Sequence, residues 1–203
     1  MNHEELIKSI AELGYNVGFG AKKHFATYDI VGKVPGLISF ISIVFGIYSL
    51  IFESLSTKTL SASFLVLGLV GIYISFYDSQ KESYRESGER LTKIFYSLRD
   101  LYGQAKQLEG QDGSEIRSKL EAIRNEYFGC CVSKQIMFSD WYAHYKFFWQ
   151  QQIEWIDEVK HFSFFRDKIP LSAYIFSAFS IAILVLWRVE FINLLKTYLC
   201  TPQ

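Results

Sequence analysis

Val34–Phe52 reads VPGLISFISIVFGIYSLIF and Thr59–Tyr77 reads TLSASFLVLGLVGIYISFY, two runs of 19 residues without a charged side chain. Lys33 and Glu53 bound the first, Lys58 and Asp78 the second. As helices rising about 1.5 Å per residue, each reaches about 28 Å, close to the hydrocarbon thickness of a bilayer. Only Glu53–Lys58 lies between them, enough for a turn, so an antiparallel transmembrane hairpin is expected over 34–77. A buried core hairpin of this kind would need a large protein around it. A third uncharged run, Ile169–Trp187 (IPLSAYIFSAFSIAILVLW), lies between Lys168 and Arg188. It is expected as a third membrane helix over 169–189, with a surface-lying or re-entrant helix as the alternative, followed by a tail over 190–203. Pro35 and Pro170 are expected at helix starts, where a missing N–H would be unpaired anyway.

These runs explain the composition. The chain has 203 residues, 21 Lys plus Arg and 21 Asp plus Glu, and no net charge. The 57 residues of the runs hold none of the 42 charges, so the rest is about 29% charged, as water-facing protein is. Balanced charge argues against a nucleic-acid partner, and three Cys argue against a disulfide scaffold. Residues 1–33 carry eight charges and no apolar region of the signal-peptide kind, and are expected as a cytoplasmic amphipathic lead-in. Lys8, Lys22, Lys23 and Lys33 precede the first run, Lys81, Arg85, Arg90 and Lys93 follow the second, and only Lys58 lies between. The positive-inside rule therefore puts the N-terminus and 78–168 in the cytoplasm and 53–58 outside. A multi-pass protein of the bacterial inner membrane is expected, with the C-terminus outside.

Residues 78–168 read as an antiparallel, coiled-coil-like helical hairpin. From about Ser83 to Leu108 an a/d stripe runs through Leu91, Ile94, Leu98, Leu101, Ala105 and Leu108, extended backwards by Tyr84. Asp112 and Glu115 resemble a capping box opening the return helix, whose stripe Ile116, Leu120, Ile123, Tyr127 and Cys130 stumbles at Ser133–Lys134 and resumes from Phe138 to Val159. No strand-like alternation of useful length is visible, so the fold class is all-α. Phe138–Phe165 is dense in aromatics on more than one helix face. Plain packing and an aromatic belt explain most of that density. The alternative is a partner or subunit surface, for which Trp141, Tyr142, His144, Tyr145 and Trp149 are the candidates.

Motifs for chemistry are missing. There is no phosphate-cradling glycine loop, no HExxH, no metal-spaced His or Cys cluster and no GxSxG. No enzyme activity and no cofactor are expected. Cys130-Cys131 form a vicinal pair, read as packing residues with an oxidant response as the alternative. The runs lack the charges of proton relays and charge-coupled transporters. They have small residues at helical spacing: Ser39, Ser42, Gly46 and Ser49 in the first, Gly68, Gly71 and Ser75 in the second. Such faces let helices approach closely in lipid. They serve packing within the chain, contacts with other subunits, or a polar pore lining.

Two stretches, AKKHFATYDIVGKVPGLISFISIVFGIYSLIF and SDWYAHYKFFWQQQIEWIDEVKHFSFFRDKIPLS, together resemble the SLATT proteins. These are bacterial two-transmembrane effectors associated with cyclic-oligonucleotide synthases and nucleotide sensors. The resemblance covers roughly 10–190. It implies an antiphage or conflict-system effector that assembles in the inner membrane, opens a pore or disrupts the bilayer, and stops the infected cell. It also implies that Lys22, Lys23, His24, Phe25 and Tyr28 sit at the cytoplasmic membrane face, and that Trp141, Tyr142, His144, Tyr145 and Lys146 belong to the helix preceding the final span. The third run departs from a two-span description, and no nucleotide-binding domain is fused.

The functional expectation is a homo-oligomeric, pore-forming or bilayer-disrupting effector. Its partners are the lipid bilayer and a nucleotide-signal-producing or nucleotide-sensing protein, with direct nucleotide binding left open. The alternative is a non-conducting membrane anchor or scaffold that recruits a cytoplasmic partner.

Overall fold

The computed structural model describes residues 2–108 and 113–199, and among these every regular element is helical. Two compact units divide the chain at residues 161 and 162. The first contains α1 (His3–Ile51), α2 (Lys58–Ser75), α3 (Lys81–Gln107), α4 (Ser114–Phe128), α5 (Ser139–Gln150) and α6 (Glu154–Lys160). The second contains α7 (Phe164–Asp167) and α8 (Leu171–Leu199).

Helix α1 opens on a capping box: Asn2 accepts from the Glu5 N–H, and Glu5 accepts from the Asn2 N–H, both at 2.8 Å. It then runs for 49 residues, about 74 Å. From its start to Val31 it buries a continuous stripe through Leu6, Ile10, Leu13, Val17, Ala21, His24, Thr27 and Val31. Beyond Val31 no residue of α1 is buried. The expected lead-in is thus the central helix of a helical head built from the first part of α1 and from α3–α6. Pro35 stands inside α1 rather than at a helix start. The helix continues through it although the ring removes the N–H that would bond the carbonyl of Val31.

Close approach holds the head together. A side chain at Gly14 would begin 2.2 Å from the rim of the Trp155 ring, and one at Gly18 would begin 2.7 Å from Phe95 and 2.8 Å from Phe147. These aromatics come from α6, α3 and α5, so three helices seat against two glycines one turn apart on α1. The stripe expected on α3 is buried, from Tyr84 through Leu91, Ile94, Leu98 and Leu101 to Ala105. It packs chiefly on α1, whereas the sequence suggests a hairpin seam with the return helix. The return arm is three helices, and of these α5 and α6 also pack on α1. On α4 only Ile116 and Leu120 are buried. Tyr102 donates to Glu158 at 2.9 Å and Lys106 pairs with the same carboxylate at 2.8 Å, tying α6 to α3. Asp112, the expected cap of α4, lies outside the described residues; the cap position is Gly113.

The two uncharged runs are helical, the second part of α1 and α2, which touch each other and are linked by a short turn at Glu53–Leu55. Both helices are long and apolar enough to cross a membrane. Helix α2 passes nearly straight into α3 through a turn at Asp78–Gln80. In the second unit the Tyr174 hydroxyl donates to the Phe165 carbonyl at 2.8 Å. Pro170 stands directly ahead of α8, whose described apolar stretch, Leu171–Val185, is shorter than the two long runs. Cys200 and the last residues of the tail lie outside the described residues.

The glycine contacts make a paired prediction. Gly18→Val forces two buried rings apart and should cost about 1–3 kcal/mol. Gly20→Ala, whose added carbon would meet only Leu91 at 3.7 Å, should be neutral or stabilise by about 0.5–1 kcal/mol through helix propensity. Thermal melting of the two variants in detergent checks both.

Candidate functional site

The head meets the two apolar helices in a cluster of Val31, Ile74, Tyr77, Tyr84 and Ile136, with Tyr28, Ile30, Val34 and Val132 packed around it. Ile136 belongs to the loop between α4 and α5, which is fastened to α1 and α3 by side chains. His24 is 3% exposed. Its Nε2 accepts from the Val132 N–H at 3.0 Å, so its Nδ1 donates to the Gly20 carbonyl at 2.7 Å. Thr27 donates to the Gln135 side chain at 2.5 Å, whose amide donates back to the Val132 carbonyl at 2.8 Å. The Tyr84 hydroxyl donates to the Lys134 carbonyl at 2.6 Å. Burial pushes the His24 imidazole below its usual value, the Gly20 hydrogen bond acts the other way, and the nearby charge of Lys23 adds to the lowering.

The remaining lead-in candidates are also held by the head. Lys22 is half-buried, and burial together with the charge of Lys146 lowers its pKa. Lys23 pairs with Asp140 at 2.7 Å, and Phe25 packs over Gly88. Asp29 takes an ion pair from Lys33 at 2.7 Å and another from Lys146. Burial pushes the Asp29 carboxyl up, but the hydrogen bonds and charges of Lys146 and Lys33 outweigh it and hold the group below the usual carboxylate range.

The aromatic candidates of α5 separate by face. Phe147 and Phe148 are buried, and Trp141, Tyr142 and His144 are half-buried. His144 lies edge-on to Phe19 at 5.0 Å, and burial lowers its pKa against the opposing pull of Asp140. Tyr145 and Trp149 are 52% and 62% exposed and make an aromatic edge on the outer side of α5.

The small residues of the apolar helices do not bring α1 and α2 together. A side chain added at Gly46, Gly68 or Gly71 would meet nothing within 4 Å. The hydroxyls of Ser39, Ser49 and Ser75 donate to carbonyls of their own helices, of Pro35, Gly46 and Ile72, at 2.9, 2.8 and 2.7 Å. Ser42 is partly exposed on the same helix.

Burial raises the pKa of both Cys130 and Cys131, the opposite of the shift that makes a thiol reactive. Among the described residues no group of three His, Cys, Asp or Glu side chains could hold a metal ion.

The stripe of α1 and the binding of the loop by His24, Thr27 and Tyr84 were not read from the sequence. Leu6, Ile10, Leu13 and Val17 recur at helical spacing and were a usable signal for the first. His24 and Val132 are 108 positions apart, and no local pattern joins them.

A family model described as SMODS and SLOG-associating 2TM effector domain 6 matches residues 1–177. No curated protein and no solved structure matches the chain.

Two predictions follow from the charges at this junction. His24 must stay neutral to accept from Val132, so the unfolded chain binds the extra proton more readily and stability rises with pH in that range. The contribution is complete above the ordinary histidine pKa of about 6.5 and is lost as pH falls through the lower folded value. The melting temperature should therefore drop between about pH 7 and pH 5, and His24→Gln should flatten the slope; Asp29 acts only below about pH 4. Separately, Asp29→Asn leaves Lys146 beside Lys22 without its carboxylate and should cost about 1.5–3 kcal/mol. Adding Lys146→Met should recover most of that loss in the same melting assay.

Proposed function

Because the chain belongs to the family of SMODS and SLOG-associating 2TM effector domains, we propose that it acts in a bacterial antiphage or conflict system. In this reading it is a homo-oligomeric effector of the inner membrane that opens a pore or disrupts the bilayer and arrests the infected cell. The head and the N-terminus lie in the cytoplasm, the turn at Glu53–Leu55 lies outside, and α8 adds a third membrane helix. A protein that makes or senses a nucleotide signal is the activating partner.

One observation carries the reading: the small faces at Gly46, Gly68 and Gly71 open onto empty space in the single chain. Lipid gives helices no hydrophobic reason to associate, and small faces are where they approach closely. Unused within the chain, these faces suit neighbouring copies. Any conducting path then runs between chains, because the serine hydroxyls are already bonded to their own helices. The head is coupled to the first span by α1 itself. A shift of the head rotates or tilts that span about the joint at Pro35, where one backbone hydrogen bond is missing.

Induced expression should collapse the membrane potential, read with a potential-sensitive dye. Gly46→Leu and Ser42→Leu should insert normally and abolish the collapse. The added side chain at Gly46 clashes with nothing in the monomer, so its effect reports on contacts between chains. An arrested culture that keeps its potential overturns the pore and supports the non-conducting anchor that recruits a cytoplasmic partner.

A further inference from the structure

We infer that the loop Ile136–Phe138 and the two spans form a seat for one anionic phospholipid, its acyl chain in an apolar cavity and its phosphate on Lys81 and Lys134. The inference rests on the reading that α1 and α2 cross a bilayer.

The cavity holds about 500 Å³ and is walled by Val34 of α1, Val66, Leu69 and Val70 of α2, and Met137 and Phe138 of the loop. That volume falls within the range of small-ligand cavities. Val66 precedes Asp78 by 12 residues, about 18 Å along a helix. The cavity that this loop walls at the head thus extends along the second apolar helix as far as Val66. It carries apolar side chains there: Met137 is 62% exposed and Phe138 59%. In water such a pair of neighbours is a liability; beside hydrocarbon it is matched.

The backbone is bent to achieve this. Phe138 has φ 66°, in the left-handed region, which costs an L residue roughly 1–2 kcal/mol. Strain of this kind persists where the surroundings over-determine it, and it concentrates at ligand sites. Here Ile136 is buried in the junction cluster, and Tyr84 and Thr27 hold the two preceding residues.

Two cations sit against tyrosines of the cluster that closes one end of this cavity. The Lys134 ammonium lies 4.8 Å over the Tyr77 ring and the Lys81 ammonium 5.3 Å over the Tyr28 ring. Both tyrosines pack in the cluster whose Ile74 and Ile136 also line the cavity. Neither lysine pairs with a carboxylate among the described residues. A ring leaves the ammonium hydrogens available to a phosphate, as a carboxylate would not. An apolar cleft along the two long apolar helices, next to a cluster that carries two cations, selects an amphiphile with a negative head.

The test uses the full chain reconstituted in vesicles of phosphatidylcholine and phosphatidylglycerol, with a trace of either lipid bearing a photoreactive acyl chain. Labelled peptides are mapped by mass spectrometry. Each basic side chain near an anionic surface favours the anionic lipid roughly fivefold. With two lysines, the glycerol probe should therefore label the Met137–Phe138 and Val66–Val70 peptides roughly 25-fold more than the choline probe. Lys81→Gln with Lys134→Gln should bring the two probes to parity. Val70→Trp, and independently Leu69→Trp, should fill the cavity and remove labelling by both. Four results overturn the proposal: equal labelling of the wild-type chain by the two probes, a preference that survives loss of both lysines, labelling that ignores both tryptophans, or a photoreactive residue at position 70 that crosslinks to residues 171–185 or to a second copy instead of lipid. Extraction by alkaline carbonate, run in parallel, separates the failures. A chain that extracts refutes membrane insertion and the seat together, whereas an inserted but unlabelled chain refutes the seat alone.

Discussion

The rim of the Trp155 ring occupies the space where a side chain at residue 14 would begin, and Phe95 and Phe147 do the same at residue 18. Those contacts set the distance between α1 and three other helices of the head. They also explain how one helix can be both the axis of a bundle and, farther on, an apolar helix long enough to cross a membrane. From its start to Val31 α1 has a buried stripe that needs protein against it; beyond Val31 it has none. The aromatic grip fixes the first part, whereas the second packs against α2, with the Phe45 and Phe64 rings 5.6 Å apart.

The change of surroundings falls within about one turn, and the residues there are suited to it. Thr27 and Val31 face protein, the partly buried Asp29 pairs with the exposed Lys33, and Pro35 lies in the uncharged run. The loop between α4 and α5 closes the joint from the side. Its backbone is satisfied by His24 and Tyr84 rather than by regular structure. A buried loop would otherwise carry unpaired polar groups. This arrangement makes the joint specific, because the neutral tautomer of one imidazole is required at Val132, while Tyr84 and Thr27 hold Lys134 and Gln135 separately.

The spans were legible in the sequence because absence of charge over 19 residues depends on nothing distant. The stripe of α3 was legible for the same reason. The role of α1 as the bundle axis was not, because Gly14, Gly18 and Ala21 look like gaps in a hydrophobic pattern until the rings that fill them are known. The break of the return arm into α4, α5 and α6 was visible only as a stumble at Ser133–Lys134. Its full extent follows from the pull of α1 on α5 and α6, which a reading of each segment by itself cannot weigh. The candidate aromatics separated for a related reason. Helix α5 buries Phe147 and Phe148 against α1, and this fixes which way Tyr145 and Trp149 point.

The two long apolar helices pose the remaining physical question, since they are uncharged and a side chain at Gly46, Gly68 or Gly71 would meet nothing within 4 Å among the described residues. A serine that donates to its own helix has already lost most of its value as a pore ligand, so polarity along Ser39 and Ser49 is weak support for a hydrated path through one hairpin. Glycine faces behave differently: their usefulness rises when no intrachain neighbour occupies them. If neighbouring copies meet there, the energy that holds the assembly comes from close helix contact in lipid, and the loop with Met137 and Phe138 lies beside the same spans. A lipid seated at that loop would then compete with, or brace, any rearrangement at Pro35. The composition of the membrane becomes part of the activation energy under the proposed function.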